Sequence, residues 1–467
     1  MAMARKTLAL VALFFMAQAD AAVVNTSVKR VLDLTKHVVR VTTDVQFVDA
    51  DQDTTEYVFG IPKAQEQHLA QLAAKCGKIT CEVVAATHVD ANAHPDVAQF
   101  TVVLKDSVAK GAVGHIKLTS YFTHVLTPFP AEITQKEEQL VVYEDSHLFI
   151  SPYKTETQTT KVKLPSGRVE SFSQVEPVVR KGSAITYGPF ANAQPFSGEA
   201  KSLRVHFKNH SPFLTVTNLV RELEVSMWGR VSVEEVYDLL HTGAKLKGGF
   251  SRYEYTAQNE RGASFHDMHA TLPKNAVNVY YRDQIGNVST SRLRVANSHQ
   301  ELAFQSRFPL FGGWKTQWYL GYSVPTHSVL SRDGDKFKLE MDFSTSIEGA
   351  AVDDLTLKVI LPEGATNVQA NLPFAVDSLS DATRQTYLDT PLVGRPVLII
   401  TKKNVIAAHN VPFEVTFEFP QTFMLHEPLL LVSGFLAFFV FCMLLFRLDV
   451  SLISNKHAHA SAKKKTE

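Results

Sequence analysis

The chain has 467 residues and carries 47 Lys and Arg against 47 Asp and Glu, so its formal charge is zero. That balance excludes the basic excess of a nucleic-acid binder, and a composition 45% hydrophobic and 20% charged excludes a disordered chain. The length predicts about two or three domains, and three cysteines are too few for a disulfide scaffold.

From the N-terminus, Arg5 and Lys6 precede an apolar run, Leu8 to Met16, and Ala17-Gln18-Ala19 follows. A basic flank, a short apolar core and a small-residue exit predict a secretory signal over residues 1–22, cleaved after Ala19, Ala21 or Ala22. Next, Val39, Val41, Thr43, Val45 and Phe47 alternate with polar residues, the period of a half-buried strand. Asp49-Ala-Asp-Gln-Asp53 begins like a calcium loop, but Thr54 stands where glycine is needed and Gly60 where a bidentate Glu is needed. Ala64 to Lys75, after Pro62, places Leu69, Leu72 and Ala73 on one face and predicts the one clear helix. Cys76 and Cys81 flank Gly-Lys-Ile-Thr, and in an oxidising compartment they predict a small bridged hairpin.

Further on, Leu203, Val205 and Phe207 alternate again, and a division is placed near Pro212. The pattern repeats at Phe337–Phe343 and Val411–Phe419, with a hairpin turn at Asp333-Gly334-Asp335. One wet face per strand predicts antiparallel sheets. No internal repeat is evident in the sequence. The fold class expected is therefore mainly β: two tandem antiparallel β-sandwich-like domains, 23–212 and 213–424, plus one C-terminal transmembrane helix.

That helix is expected over 425–447, because Leu429 to Phe446 is 18 uncharged residues, about 27 Å of helix. Residues 411–428 hold Glu414, Glu418 and Glu427 with no Lys or Arg. Residues 447–467 hold Arg447, Lys456, Lys463, Lys464 and Lys465. Positive flanks stay cytoplasmic, so the bulk of the chain is expected in the lumen and 448–467 as a cytoplasmic tail. Lys464 and Lys465, third and fourth from the end, match a dilysine retrieval address.

Motifs for chemistry are sparse. Gly249-Phe-Ser-Arg-Tyr253 fails the nucleophile-elbow pattern at its last position, and His426-Glu427 lacks the second His of a zincin. His266 and His269 read as polar loop residues. No catalytic, cofactor-binding or metal-ligating set is assigned. Three sequons, at Asn25, Asn209 and Asn287, are N-glycosylation candidates, with Asn287 preferred because Asn25 lies near the cleavage site and Pro212 follows the Asn209 sequon. The run from Arg307 to Tyr319 is the densest aromatic stretch, and Phe308, Trp314 and Trp318 form a candidate interaction patch.

Several ordered strings carry a family resemblance. They include Tyr121-Phe-Thr-His-Val-Leu-Thr-Pro-Phe-Pro130, Val225-Ser-Met-Trp-Gly229, His241-Thr-Gly243 and Phe250-Ser-Arg-Tyr253. Ile285-Gly-Asn-Val-Ser-Thr290, Arg307-Phe-Pro-Leu-Phe-Gly-Gly-Trp-Lys-Thr316, Gly394-Arg-Pro-Val397 and Glu427-Pro-Leu-Leu430 continue the series. In these the chain resembles the ribophorin I family of oligosaccharyltransferase subunits. The resemblance implies two luminal β-rich domains, similar to the non-catalytic β-sandwich of zinc aminopeptidases, and one span in the endoplasmic reticulum membrane. It implies an accessory role in transfer of a preassembled oligosaccharide from dolichyl diphosphate to Asn of Asn-x-Ser/Thr. The implied partners are a catalytic multi-spanning subunit, other subunits of the complex, nascent polypeptides and the lipid bilayer, with no nucleic acid. Two other classes stay open: a membrane-anchored luminal hydrolase and a chaperone-like binding protein.

Overall fold

The computed structural model describes residues 23–77, 79–85, 94–198, 202–211, 213–257, 262–386, 389 and 394–447. The expected signal segment, Pro212 and the Lys464-Lys465 pair lie outside the described residues. The described residues are mainly β, and the last of them form one long apolar helix.

The period-two segments form strands with the expected alternation. In the strand Val39–Asp49 every odd position is buried. Phe413, Val415 and Phe417 are the buried positions of Pro412–Glu418. Each such face lies over an apolar core, and the buried side chains divide into two clusters. One gathers residues from Val23 to Phe213, the other from Leu214 to Phe419. Each core is closed by a large sheet and a four-stranded sheet. The central pairs of the small sheets are Leu140–Asp145 with Leu203–Lys208, and Lys336–Asp342 with Pro412–Glu418.

The large sheets share a topology. In the first half Val23–Asp33 pairs antiparallel with Val39–Asp49 and parallel with Lys154–Lys163. In the second, Leu214–Val225 pairs antiparallel with Arg230–His241 and parallel with Ala351–Ile360. A bulge follows the third residue of each opening strand, between Asn25 and Ser27 and between Val216 and Asn218. The outward order also agrees: Val113–Phe122 and then Leu69–Cys76 in the first half match Lys315–Pro325 and then Val277–Asp283 in the second. A structural repeat is thus present where the sequence shows none. The expectation of antiparallel sheets holds in both large sheets but for one correction in each, the parallel pairs Val23–Asp33 with Lys154–Lys163 and Leu214–Val225 with Ala351–Ile360. A period of two reports which face is buried, and a parallel neighbour leaves that period unchanged.

The expected helix over Ala64–Lys75 is the other correction. Only Lys63–Glu66 is helical, and Leu69–Cys76 is a strand paired with Val113–Phe122, in the register Leu69 to Phe122 and Cys76 to Ile116. A helix of about a dozen residues is marginal in water on its own. The adjoining strand offers backbone partners, and pairing with it buries Ala70 and Ala74. A disulfide joins Cys76 to Cys81 within the hairpin that continues into Ile79–Ala85.

The helix His426–Arg447 has no buried residue. Its 22 residues reach about 33 Å. Glu427 and Pro428 follow His426 in its first turn, where proline forfeits no helical hydrogen bond.

Candidate functional site

Two places in the fold bring distant segments together, a seam between the halves and a clamp at the foot of the helix. The seam begins with a two-strand parallel ladder of Glu132–Ile133 and Lys245–Leu246. The Lys245 and Lys247 amides donate to the carbonyls of Ala131 and Ile133 at 2.8 and 2.7 Å. Two glutamines act as side-chain splints beside it. Gln135 donates to the Ser251 carbonyl and accepts from the Ser251 amide, both at 3.0 Å. Gln139, fully buried, donates to the Asn209 carbonyl at 3.0 Å and accepts from the Ala244 amide at 2.9 Å. Buried amide side chains paired at both ends fix one register between the segments they join.

The other flank of the seam is polar and titratable. Thr123 donates to Asn404 Oδ1 at 3.1 Å, and Asn404 Nδ2 donates to the Gln67 carbonyl at 3.0 Å. His124 Nε2 stands 2.6 Å from Asp353 Oδ1. The hydrogen bond to Asp353 outweighs partial burial and raises the pKa of His124 above the ordinary histidine value. His37, beside the Phe213 ring, is pushed down to about 4 by burial of its imidazole. Both line a cavity of about 220 Å³ with Leu126, Thr242 and Ala351. The signs of the two are opposite. A raised His124 adds stability that is full below its unfolded pKa and fades as pH rises through its folded one. A depressed His37 costs stability as pH falls below its unfolded value toward 4. Asp353→Asn should therefore lower the melting temperature more at pH 6 than at pH 8.5. A part-exposed pair of this kind is worth on the order of 0.5 kcal/mol. Equal losses at both pH values would show that His124 carries no charge at the seam.

The clamp is built on Arg395. Its Nη1 reaches Glu224 Oε1 at 2.9 Å, its Nε reaches Asp389 Oδ1 at 3.0 Å and its Nη2 reaches Glu427 Oε1 at 3.2 Å. Glu224 lies one residue from the end of the strand Leu214–Val225, and Glu427 lies in the first turn of the C-terminal helix. One guanidinium thus ties the second half to the helix. Burial works to raise the Asp389 carboxyl, but hydrogen bonds from Thr386 and the Arg395 charge outweigh it and hold its pKa below the usual value. Beside the clamp the Phe423 ring lies over Gly364, where a Cβ would come within 2.5 Å of it.

The residues singled out in the sequence separate. Asn25 is fully buried, donating to Ser151 and Thr155 and accepting from Tyr57. Asn209 is also fully buried, with Oδ1 accepting from the Ser211 amide and hydroxyl. Asn287 is exposed, next to Arg282 and Arg307. Trp318 is 1% exposed and stacks on Tyr237 at 4.2 Å, so it belongs to the core and not to a surface patch. Phe308 is exposed, and Trp314, packed against the core, meets it edge-on at 6.0 Å. Phe250 joins them at 5.8 Å from Trp314. His266 and His269 lie on the strand Phe265–Pro273, not in a loop, and a bulge interrupts the ladder between Phe265 and Asp267, beside His266. Asp49 accepts from the amides of Asp51 and Gln52 and from Thr54, which makes it a turn cap. Among the described residues no group of three or more His, Cys, Asp or Glu is placed to hold a metal.

Arg395, Gln135, Gln139 and His124 were not picked out by motif. Their one sequence signal is that Arg395, Gln135 and His124 fall within or beside the strings that carry the family resemblance.

The family model described as Ribophorin I matches residues 23–446. Dolichyl-diphosphooligosaccharide--protein glycosyltransferase subunit 1B of Arabidopsis thaliana is 38% identical over 450 residues, covering 94% of this chain and 95% of its own. The protein of the same description from Oryza sativa subsp. japonica is 38% identical over 438 residues, covering 91% of each. Among solved structures, an M1 zinc metallopeptidase from Deinococcus radiodurans aligns over 44% of this chain and 48% of its own, at 11% identity. Its TM-score is 0.26.

Proposed function

The chain belongs to the ribophorin I family, and from that premise we propose that it is a non-catalytic subunit of an oligosaccharyltransferase complex in the endoplasmic reticulum membrane. The complex moves a preassembled oligosaccharide from dolichyl diphosphate to Asn of Asn-x-Ser/Thr in nascent proteins. This subunit acts as scaffold and presenter, and the chemistry resides on a catalytic multi-spanning partner. The observation that carries the reading is that the family match runs through both β halves and the helix, residues 23–446. Two domains, 23–212 and 213–424, stand in the lumen, and the helix anchors them. The two separate cores support that division. The acidic approach at Glu414, Glu418 and Glu427, against Arg447 at the other end, supports the orientation.

Affinity purification of the tagged full chain from detergent-solubilised membranes tests the role. A multi-spanning transferase and oligosaccharide-transfer activity should elute with it. Recovery as a lone polypeptide overturns the scaffold reading.

The luminal placement carries its own expected result. Asn287 is the glycan acceptor, because a glycan on the buried amide of Asn25 or Asn209 has no room in the fold. Asn287→Gln should remove one glycan-sized step in gel mobility, equal to the step removed by endoglycosidase. A further step on digesting that variant would show that a second sequon is used before folding.

A further inference from the structure

The turn joining Leu214–Val225 to Arg230–His241 carries Met227 and Trp228. Trp228 is 59% exposed. It is held in place all the same. The Trp228 amide donates to Ser226 Oγ at 3.2 Å, and Gly229 at φ +112° makes the reversal. Thr326 pins the turn from behind, its amide to the Gly229 carbonyl at 3.0 Å and its hydroxyl to the Ser226 carbonyl at 3.2 Å. Met227 and Trp228 line one cleft with Phe423, Met424, His426 and Glu427 at the foot of the C-terminal helix. Phe423 and Leu425 are themselves exposed. The Glu224–Arg395–Glu427 bridge joins the hairpin to the helix, so the two share one position.

That position has a depth. The apolar run of the helix starts at Leu429. At about 1.5–2 Å rise per residue, Phe423 to Leu425 lie roughly 6–12 Å outside it, beside the headgroup layer of about 5–8 Å on each face of a bilayer. Tryptophan favours that layer, with its ring against the acyl boundary and its N–H toward water. Arg230, exposed and two residues past Trp228, adds a cation suited to lipid phosphate.

We infer that the Met227-Trp228 turn is a second membrane contact, seated in the phospholipid headgroup layer beside the helix. A single helix leaves the body free to rotate and tilt about its axis, and a second point removes that freedom. The lipid is chosen over a protein partner because the turn is continuous with the base of the segment that enters the bilayer. The inference rests on the proposed spanning role of the helix.

The test uses the full chain in phosphatidylcholine vesicles, with brominated phosphatidylcholine as the quencher. Trp228 is one of three tryptophans. Bromolipid should therefore remove roughly a third of the emission from the wild type and almost none from Trp228→Phe, most strongly with bromines near the headgroup. The variant should fold normally by circular dichroism, because the side chain is largely exposed. A chain that floats with the vesicles but shows equal quenching in wild type and variant overturns the inference alone. A chain that fails to float overturns the spanning role and the inference with it.

Discussion

Replacing Arg395 by Met is expected to destabilise the second half by about 3–5 kcal/mol and to loosen the helix from it. The main cost lies at Asp389, whose side chain is 0% exposed and would lose its cation. The more exposed Glu224 and Glu427 contribute less, because solvent screens them, although three carboxylates would then face one another without neutralisation. Lysine at 395 should recover only part of the loss, since an ammonium cannot reach three carboxylates along the separate directions of a guanidinium fork. The pH dependence distinguishes this cause from lost packing. A carboxyl with a depressed folded pKa stabilises above its unfolded value, near 3.8, and that stability is lost as pH falls through the folded pKa. The wild type therefore holds the full contribution at pH 7. Without Arg395 the Asp389 pKa rises, and protonation at lower pH relieves the buried charge. The gap in melting temperature between wild type and Arg395→Met should then narrow between pH 7 and pH 5. Limited proteolysis at residues 419–426 reads the loosening of the helix directly. A variant that melts with the wild type and resists cleavage equally would remove the clamp from the account.

Gly312→Ala is expected to open the seam. A Cβ there would stand 1.8 Å from the Ala244 carbonyl oxygen and 2.4 Å from its carbon. The obstacle is backbone, so no side-chain rotation relieves it, and the cost should be roughly 2–4 kcal/mol. The contacts at risk are the Lys245–Gly312 bridge and the hydrogen bond from the Leu246 amide to the Gly312 carbonyl at 3.1 Å. Because the Lys245–Leu246 ladder holds the two halves together, calorimetry should show one cooperative transition in the wild type and two in the variant. Gly249→Ala is the control, since its Cβ meets nothing within 4 Å. A single unshifted transition in Gly312→Ala would mean that the seam does not couple the halves.

Local chemistry made part of this protein legible from its sequence. Val39–Phe47 alternates because one face meets a core, and the strand appears where the alternation places it. Leu429–Phe446 is uncharged over a bilayer's thickness, and it is one uninterrupted helix. The apolar spacing of Leu69–Cys76 fits a helix as well as a strand, and the edge of Val113–Phe122 decides between them. Trp318 and Phe308 sit in one aromatic run, yet alternation along adjoining strands sends one into the core and leaves the other outside.

The β class, the apolar helix, the charge asymmetry about it and the family are legible in the chain alone. Each of these is written in neighbouring residues or in ordered strings along the chain. The parallel pairs, the topology repeated in both halves, the enclosure of Asn25 and Asn209 and the three carboxylates on Arg395 emerge from long-range packing. Glu224 and Arg395 are 171 residues apart. A burial pattern states that a side chain turns inward, but the partner it meets depends on how both halves close around their cores.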